Sequence, residues 1–207
     1  MSTAVILAAG RSSRSGRIHK GLRQLRRGEQ STGWLEYQIT QLRRAGFRRI
    51  KVVTGYRPRL LKTQIRALGA TQSHNPLPAR GPFSSLQQAL KGFTGEHTLL
   101  VPLDNPVPTP SVLYKIRRAM KGNAGKQVAK PCFQGRGGHP LMMHKTLVQQ
   151  LKTAASEGAN ARLDRQLQQL PANKTARVRV KTPQVRLNLN TPQQWVRYQK
   201  TIQSIRA

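Results

Sequence analysis

The N-terminus constrains the fold more than any other stretch. An apolar run, Ala4-Val5-Ile6-Leu7-Ala8-Ala9, passes into Gly10-Arg11-Ser12-Ser13-Arg14-Ser15-Gly16, and Lys20 follows shortly after. An apolar run closed by glycine and small polar residues predicts a buried first strand leading into a loop. Gly10 and Gly16 let the backbone approach a ligand closely and adopt positive φ where the turn needs it. Successive free amides in such a loop form an anion-binding concavity, and Arg11, Arg14 and Lys20 add three cations within ten residues. That chemistry suits a triphosphate; a solvated basic turn after an edge strand is the alternative. The loop is neither a G-x-x-x-x-G-K-[ST] phosphate loop nor the G-x-G-x-x-G dinucleotide fingerprint.

Downstream, helical and strand signals alternate. Gly21 to Gly33 reads as a basic, turn-like and mostly irregular piece with a small strand. Trp34, Leu35, Ile39 and Leu42 sit at helical spacing over Trp34 to Ala45, with Gly46 as the residue that ends the helix. Arg49 to Gly55 is a β-branched run, Leu60 to Leu68 a helix closed by Gly69, and Ala70 to Ser73 a short strand. A helix opens near Gly81 and runs to about Gly92. Val112 to Met120 predicts a helix, Gly122 to Gly125 a loop, and Val128 to Phe133 a strand. Thr146 to Thr153 and Ala161 to Leu170 read as helices, and Arg177 to Val180 alternates as a strand. Strands alternating with helices imply βαβ units, hence an α/β fold with a mostly parallel sheet. At 207 residues, one domain covering 1–207 is expected.

The composition narrows the chemistry. Thirty-seven Lys and Arg face six Asp and Glu, a formal charge of +31. Such a field attracts polyanions, nucleic acid first among them. The cations are nevertheless spread along the whole chain, and zinc-finger spacings, RNP aromatics and a helix-turn-helix signature are missing. Non-specific nucleic-acid binding is therefore expected as a by-product of charge rather than as the function. Lone Cys132 reads as a core thiol. No run reaches the roughly 20 apolar residues of a membrane span, and no signal-peptide pattern opens the chain, so a cytoplasmic protein with no membrane partner is expected. Oligomeric state is not readable.

With so few acids, each carboxylate counts. His97 to Pro102 is an apolar strand that delivers Asp104, and Pro106 prevents its continuation. Ligands of open α/β sheets bind beyond the carboxyl ends of the strands, which places Asp104 on the same rim as the Gly10 loop. A hard oxygen opposite a triphosphate cradle is what Mg²⁺ requires. An Asx turn before proline is the other reading, and the scarcity of acids favours the ligand. Asp164, between Arg162 and Arg165, reads instead as a solvated helix charge. Ser84 or Ser85 is expected to cap the helix that opens at Gly81, with or without an anion there. Glycines around Arg136, Gly138 among them, allow close approach to a second ligand. His139 beside them is either a hydrogen-bonding partner for it or a structural turn residue. Val185 to Asn190 predicts a strand with Asn188 and Asn190 on one face, after which Thr191 caps a final helix carrying Pro192 at its first position.

Leu7, Ala8, Ala9, Gly10, Ser12, Arg14, Gly16 and Lys20 together closely resemble the L-A-A-G-x-S-x-R-x-G-x-x-(x)-K signature of the MobA-like NTP transferases. Three more elements follow in the family's order: a G-x-x-x-S-L segment at Gly81 to Leu86, P-x-D-x-P around Asp104, and N-x-N-T-P at Asn188 to Pro192. The resemblance covers nearly the whole chain. It implies a Rossmann-like three-layer sandwich that moves a nucleotide from an NTP to a phosphorylated acceptor, as in molybdenum-cofactor guanylylation or cytidylylation. It implies catalytic roles for Arg14, Lys20 and Asp104, with Mg²⁺ held by Asp104 and Asn190. Nucleotide and acceptor contacts are implied for Leu7, Ala8, Ala9, Gly10, Arg11, Ser12, Gly16, Asn75, Gly81, Ser84, Ser85, Gly138, His139 and Asn188. Many members carry aspartates where this chain has Asn188 and Asn190, and an amide oxygen can ligate Mg²⁺ but brings no charge. A polyanion-binding protein on a retired enzyme scaffold is the competing reading.

Overall fold

The computed structural model describes residues 2–13, 18–27, 29–122 and 125–204. Its first half runs β1 (Ser2–Ala8), β2 (Gln24–Arg27), β3 (Gln30–Gly33), α1 (Trp34–Arg44), β4 (Arg49–Thr54), α2 (Arg59–Ala67), β5 (Thr71–His74), α3 (Pro82–Leu90) and β6 (His97–Pro102). The second half continues α4 (Pro110–Lys121), β7 (Val128–Phe133), β8 (Arg136–Gly137), β9 (Leu141–His144), α5 (Lys145–Thr153), α6 (Leu163–Gln168), β10 (Thr175–Arg179) and α7 (Pro192–Ser204).

The eight-stranded sheet has the order β10-β7-β9-β6-β1-β4-β5, with β8 paired to β7. β1 lies between β6 and β4 and is parallel to both, which is why it is apolar from Ala4 to its end. Only β8 and β9 run against the rest. Alternate residues of each strand feed opposite faces. Ala4, Ile6 and Ala8 share one core with Trp34, Leu35, Ile39 and Leu42 of α1, Leu61 and Ile65 of α2, Ile116 of α4, and Trp195 and Tyr198 of α7. Val5, Val53 and Leu100 share the other with Phe83, Leu86 and Leu90 of α3 and Leu147, Val148 and Leu151 of α5. The expected α/β three-layer sandwich with a mostly parallel sheet is what forms.

Several local expectations differ. Gln24 to Gly33 is a regular hairpin rather than an irregular piece, and Leu25 in it is fully buried. The helix expected over Ala161 to Leu170 is only α6, with the exposed Arg162–Asp164 ion pair at 2.9 Å at its start. The strand expected at Val185 to Asn190 does not form. Pro183–Arg186 is a 3-10 turn, and the chain beyond it is extended but lies in no ladder. Residues 123–124 of the loop before β7 lie outside the described residues. Among those described, no helix is long and apolar enough to cross a membrane.

Candidate active site

β1 and β6 end side by side: Leu7 pairs with Pro102, and the Leu103 amide donates to the Leu7 carbonyl at 3.0 Å. The loops that leave these two strands therefore share one rim. After β1, Ala8 and Ala9 are buried while Gly10 and Arg11 are exposed. A Cβ added at Gly10 would meet nothing within 4 Å among the described residues. Positive φ falls not on Gly10 but on Ser12, at 58°. The hydroxyl of Ser12 accepts from the Lys20 amide at 3.2 Å, which folds the loop back on itself. The Arg11 guanidinium lies 4.6 Å from the Tyr56 ring centre, a cation–π contact at the loop's edge. Arg14 and Gly16 lie outside the described residues.

His19 closes the loop. It is buried, its Nδ1 accepts from the Gly21 amide at 3.1 Å, and this caps the 3-10 turn Lys20–Leu22. Burial, reinforced by the charges of Lys20 and Arg57 and opposed by a hydrogen bond with the Ala8 backbone, holds its pKa below the ordinary histidine value. A neutral ring anchors Lys20 at the start of that turn. The Lys20 ammonium then donates to Asn190 Oδ1 and pairs with Asp104 Oδ2 at 3.6 Å, so one cation joins three distant segments.

Asp104 sits in a turn clamped by α1. Trp34 and Gln38 lie one helical turn apart, and their side chains reach the backbone on either side of Asp104. Trp34 Nε1 donates to Leu103 O at 2.7 Å, and Gln38 Nε2 donates to Asn105 O at 2.7 Å. Gln38 Oε1 also accepts from the Val107 amide at 2.8 Å. From the opposite side, the Leu189 amide donates to Asp104 O at 2.8 Å, and Asn105 Nδ2 donates to Leu187 O. These bonds bring the Asn188–Asn190 segment against the turn without a ladder. Asn190 Nδ2 donates to Asn188 Oδ1 at 2.6 Å. Gln194 Oε1 accepts from the Asn190 and Thr191 amides at 2.8 and 2.9 Å, and Thr191 Oγ1 accepts from the Gln194 amide at 3.3 Å. That is a capping box with glutamine at the third helical position, and Thr191 starts the last helix as expected.

Other predicted residues are used differently. Ser84 and Ser85 do not cap α3: the helix begins at Pro82 with Gly81 as its cap residue and no side-chain cap bond. Proline's fitness for the first helical position accounts for the earlier start. Asn75 Nδ2 instead donates to Ser84 Oγ and Ser85 Oγ at 2.9 and 3.0 Å, while Asn75 Oδ1 accepts from the Leu77 amide at 3.0 Å. The buried amide is thus a staple for the β5–α3 loop, fully engaged by its own chain. Gly81, at φ +89°, has a conformation that favours glycine and open space where a side chain would be. Gly138 is different again, because a Cβ there would stand 2.1 Å from the Val185 carbonyl oxygen. Its smallness lets two parts of this chain meet, and the His139 amide bonds the same Val185 carbonyl at 2.8 Å. The ring of His139 has a buried Nδ1 with no partner among the described residues. Burial lowers its pKa, opposed by the nearby Asp104 carboxylate. His139 therefore belongs electrostatically to the Asp104 cluster.

Lys20, Asp104, Asn188, Asn190 and His139 thus gather beyond the ends of β1 and β6, next to Gly10. Asp104 Oδ2 and Asn190 Oδ1 are hard oxygens that already share one cation, the Lys20 ammonium. That donor set fits a hard divalent ion, with one carboxylate where a more acidic site would have two. Gln38, His19 and Gln194 support the cluster and were not singled out by sequence reasoning. Only Gln194 left a legible signal, the T-x-x-Q spacing.

A glycine loop after one parallel strand and an aspartate just past its parallel neighbour share one rim of the α/β sheet, the edge at which ligands of such sheets bind. The chain belongs to the MobA-like NTP transferase domain family, whose model matches residues 4–172. Among solved structures it is similar to a nucleotidyl transferase from Methanothermobacter at 20% identity, covering 99% of each chain with a TM-score of 0.77. It is also similar to the manganese complex of Rv0371c from Mycobacterium tuberculosis at 20% identity, covering 97% of this chain and 98% of that one with a TM-score of 0.69. A third likeness is to CMP:2-keto-3-deoxy-manno-octonic acid synthetase complexed with CTP, at 15% identity, 99% coverage of both chains and a TM-score of 0.69. At such identities the likeness is one of fold. Comparison with curated protein sequences gives no match.

Proposed function

We propose that the chain, acting as one domain over 1–207, transfers the nucleoside monophosphate of an NTP to a phosphorylated small-molecule acceptor and releases pyrophosphate. The observation that carries this reading is the meeting of Lys20, Asp104 and Asn190 on the rim that the Gly10 loop shares. An acceptor phosphate oxygen attacks the α-phosphorus in line. The new P–O bond forms as the bond from the α-phosphorus to the bridging oxygen breaks, and pyrophosphate leaves with that electron pair. Little side-chain chemistry is needed, because positioning and charge neutralisation do most of the work.

The residues divide these tasks. The Gly10–Ser12 backbone and Arg11 face the triphosphate, and Arg14 adds a further charge by family resemblance. Lys20 turns from Asp104 and Asn190 towards the phosphates when the nucleotide arrives. Asp104 and Asn190 would then hold Mg²⁺, which supplies positive charge at the phosphate oxygens. His139, whose ring feels the Asp104 carboxylate, would stand on the acceptor side. By family resemblance the N-x-N-T-P form favours guanine, hence GTP as donor, while CTP and a molybdopterin acceptor follow from analogy with the molybdenum-cofactor transferases.

The test is pyrophosphate release from each of the four NTPs with molybdopterin, and then other phosphorylated small molecules, as acceptors. Release with one NTP and one acceptor, abolished in Asp104→Ala, supports the reading; release from none of the combinations overturns it. A second reading, polyanion binding on this fold, is favoured by the charge of +31 alone. Nucleic-acid binding of that kind falls steeply with salt.

A further inference from the structure

We propose that Glu96, His97 and His144 form a binding site for a borderline divalent cation of the Zn²⁺ type, at the end of the sheet opposite Asp104. His97 begins β6 and Asp104 lies just past its end, so the two sites are about 20 Å apart along the strand. The antiparallel register of β6 and β9 sets His97 directly opposite His144, with ring centres 5.3 Å apart. Glu96 precedes His97, and one of its carboxylate oxygens is 3.5 Å from His97 Nδ1. One ligand atom from each of the three residues lies within 4.8 Å of the others. Ligand atoms about 2.0–2.1 Å from a tetrahedral ion lie closer together than that, and a small side-chain rotation closes the difference. The backbone beneath is pinned: the Lys145 amide donates to Glu96 O at 2.8 Å, and the His144 amide to Gln127 O at 2.9 Å.

The surroundings point to a ligand. The three residues line a cavity of about 480 Å³. Gln127 lines the same cavity, and its side-chain oxygen is buried without a hydrogen-bond partner among the described residues. A buried acceptor without a partner, on a residue that lines the same cavity as two imidazoles and a carboxylate, calls for a donor such as a water held by a cation. His144 Nδ1 lies 3.0 Å from Thr146 Oγ1 and accepts from the Thr146 amide at 3.4 Å; Nε2 is the nitrogen that would ligate, in the tautomer whose Nδ1–H instead donates to Thr146 Oγ1. A hydrogen bond on the far nitrogen is the usual means of orienting a ligating histidine. Imidazole nitrogens select Zn²⁺-like ions over Mg²⁺ or Ca²⁺. Lys121, Lys126 and Lys174 on the cavity wall oppose any cation held by charge alone. They therefore favour coordination with an anionic or hydroxide fourth ligand.

Zinc binding to the full chain is measured by calorimetric titration, and Co²⁺ is used as a spectroscopic probe of the same site. The expected result is one Zn²⁺ per chain and a Co²⁺ visible spectrum typical of nitrogen and oxygen ligation. Glu96→Gln weakens binding by at least about tenfold. Its carboxylate is 57% exposed, so the variant keeps the fold. His144→Ala removes the Co²⁺ spectrum, whereas Asp104→Ala leaves both readouts unchanged. No stoichiometric binding to the unmodified chain overturns the proposal. So does binding that survives both ligand variants, or binding lost with Asp104.

Discussion

Lys20 holds Asp104 and Asn190 together by standing between their oxygens. If those oxygens are to take a metal, the ammonium must leave, and the phosphates of an incoming nucleotide give it a better partner. Lys20→Met is accordingly predicted to bind Mn²⁺ more tightly than the unmodified protein when no nucleotide is present. It should bind NTP about tenfold or more weakly, the effect of losing one charge-assisted contact. Parallel titrations with metal alone and with nucleotide check both halves; a loss of metal affinity contradicts the exchange. The histidines carry a second prediction at this scale. The folded pKa values of His19 and His139 are lowered chiefly by burial, below the unfolded value of about 6.5. On acidification the unfolded chain therefore takes up protons first, and stability falls from about pH 6.5 until the pH passes below the folded values. The melting temperature should drop between pH 7.5 and pH 5; a flat profile contradicts the buried, neutral rings. Asp104 was legible because a proline follows an aspartate at the end of an apolar strand. Its link through Lys20 to Asn190 was not, because 170 residues separate the two partners and no periodicity reports such a contact.

α1 is the element that sets the geometry of the site. Its apolar spacing was legible, but the polar residue within its buried face was not read as functional. Gln38 is fully buried and satisfies the Asn105 carbonyl and the Val107 amide at once. Gln38→Leu leaves both backbone groups unpaired at a cost of about 1–3 kcal/mol. For a chain of this size, each kcal/mol lowers the melting temperature by roughly 2–4 °C. The metal dependence of nucleotide binding should weaken with it, because the Asp104 turn loses its clamp. Leu42→Ala on the same helix makes a cavity without touching that turn, so it should lower the melting temperature and leave metal dependence unchanged. Equal effects in both variants would reduce Gln38 to packing. The final segment teaches a related lesson. Asn188 and Asn190 were expected on a strand, and alternation alone supported that. The segment is tied down by single bonds to Asp104 and Asn105 instead, since no neighbouring strand offers it a ladder.

At the scale of the molecule, sheet order and charge make separate claims. The alternation of strands and helices was legible because β1 and β6 carry apolar runs, Ala4–Ala8 and Leu99–Val101, and β4 a β-branched one ended by Gly55. The reversal at β9 was not, because a short buried strand gives no sign of its direction. The charge of +31 predicts that duplex DNA binds at low salt and is released steeply as salt rises, checked by titration at several ionic strengths. Nucleotide binding at the Gly10–Asp104 rim should depend on the metal and much less on salt. The most direct measurement is calorimetric titration of GTP, CTP, ATP and UTP with and without Mg²⁺, on the unmodified chain and on Asp104→Ala. The account predicts that one NTP is preferred, that Mg²⁺ strengthens its binding, and that Asp104→Ala removes the metal effect. Equal, metal-independent binding of all four, weakening uniformly with salt, would contradict it.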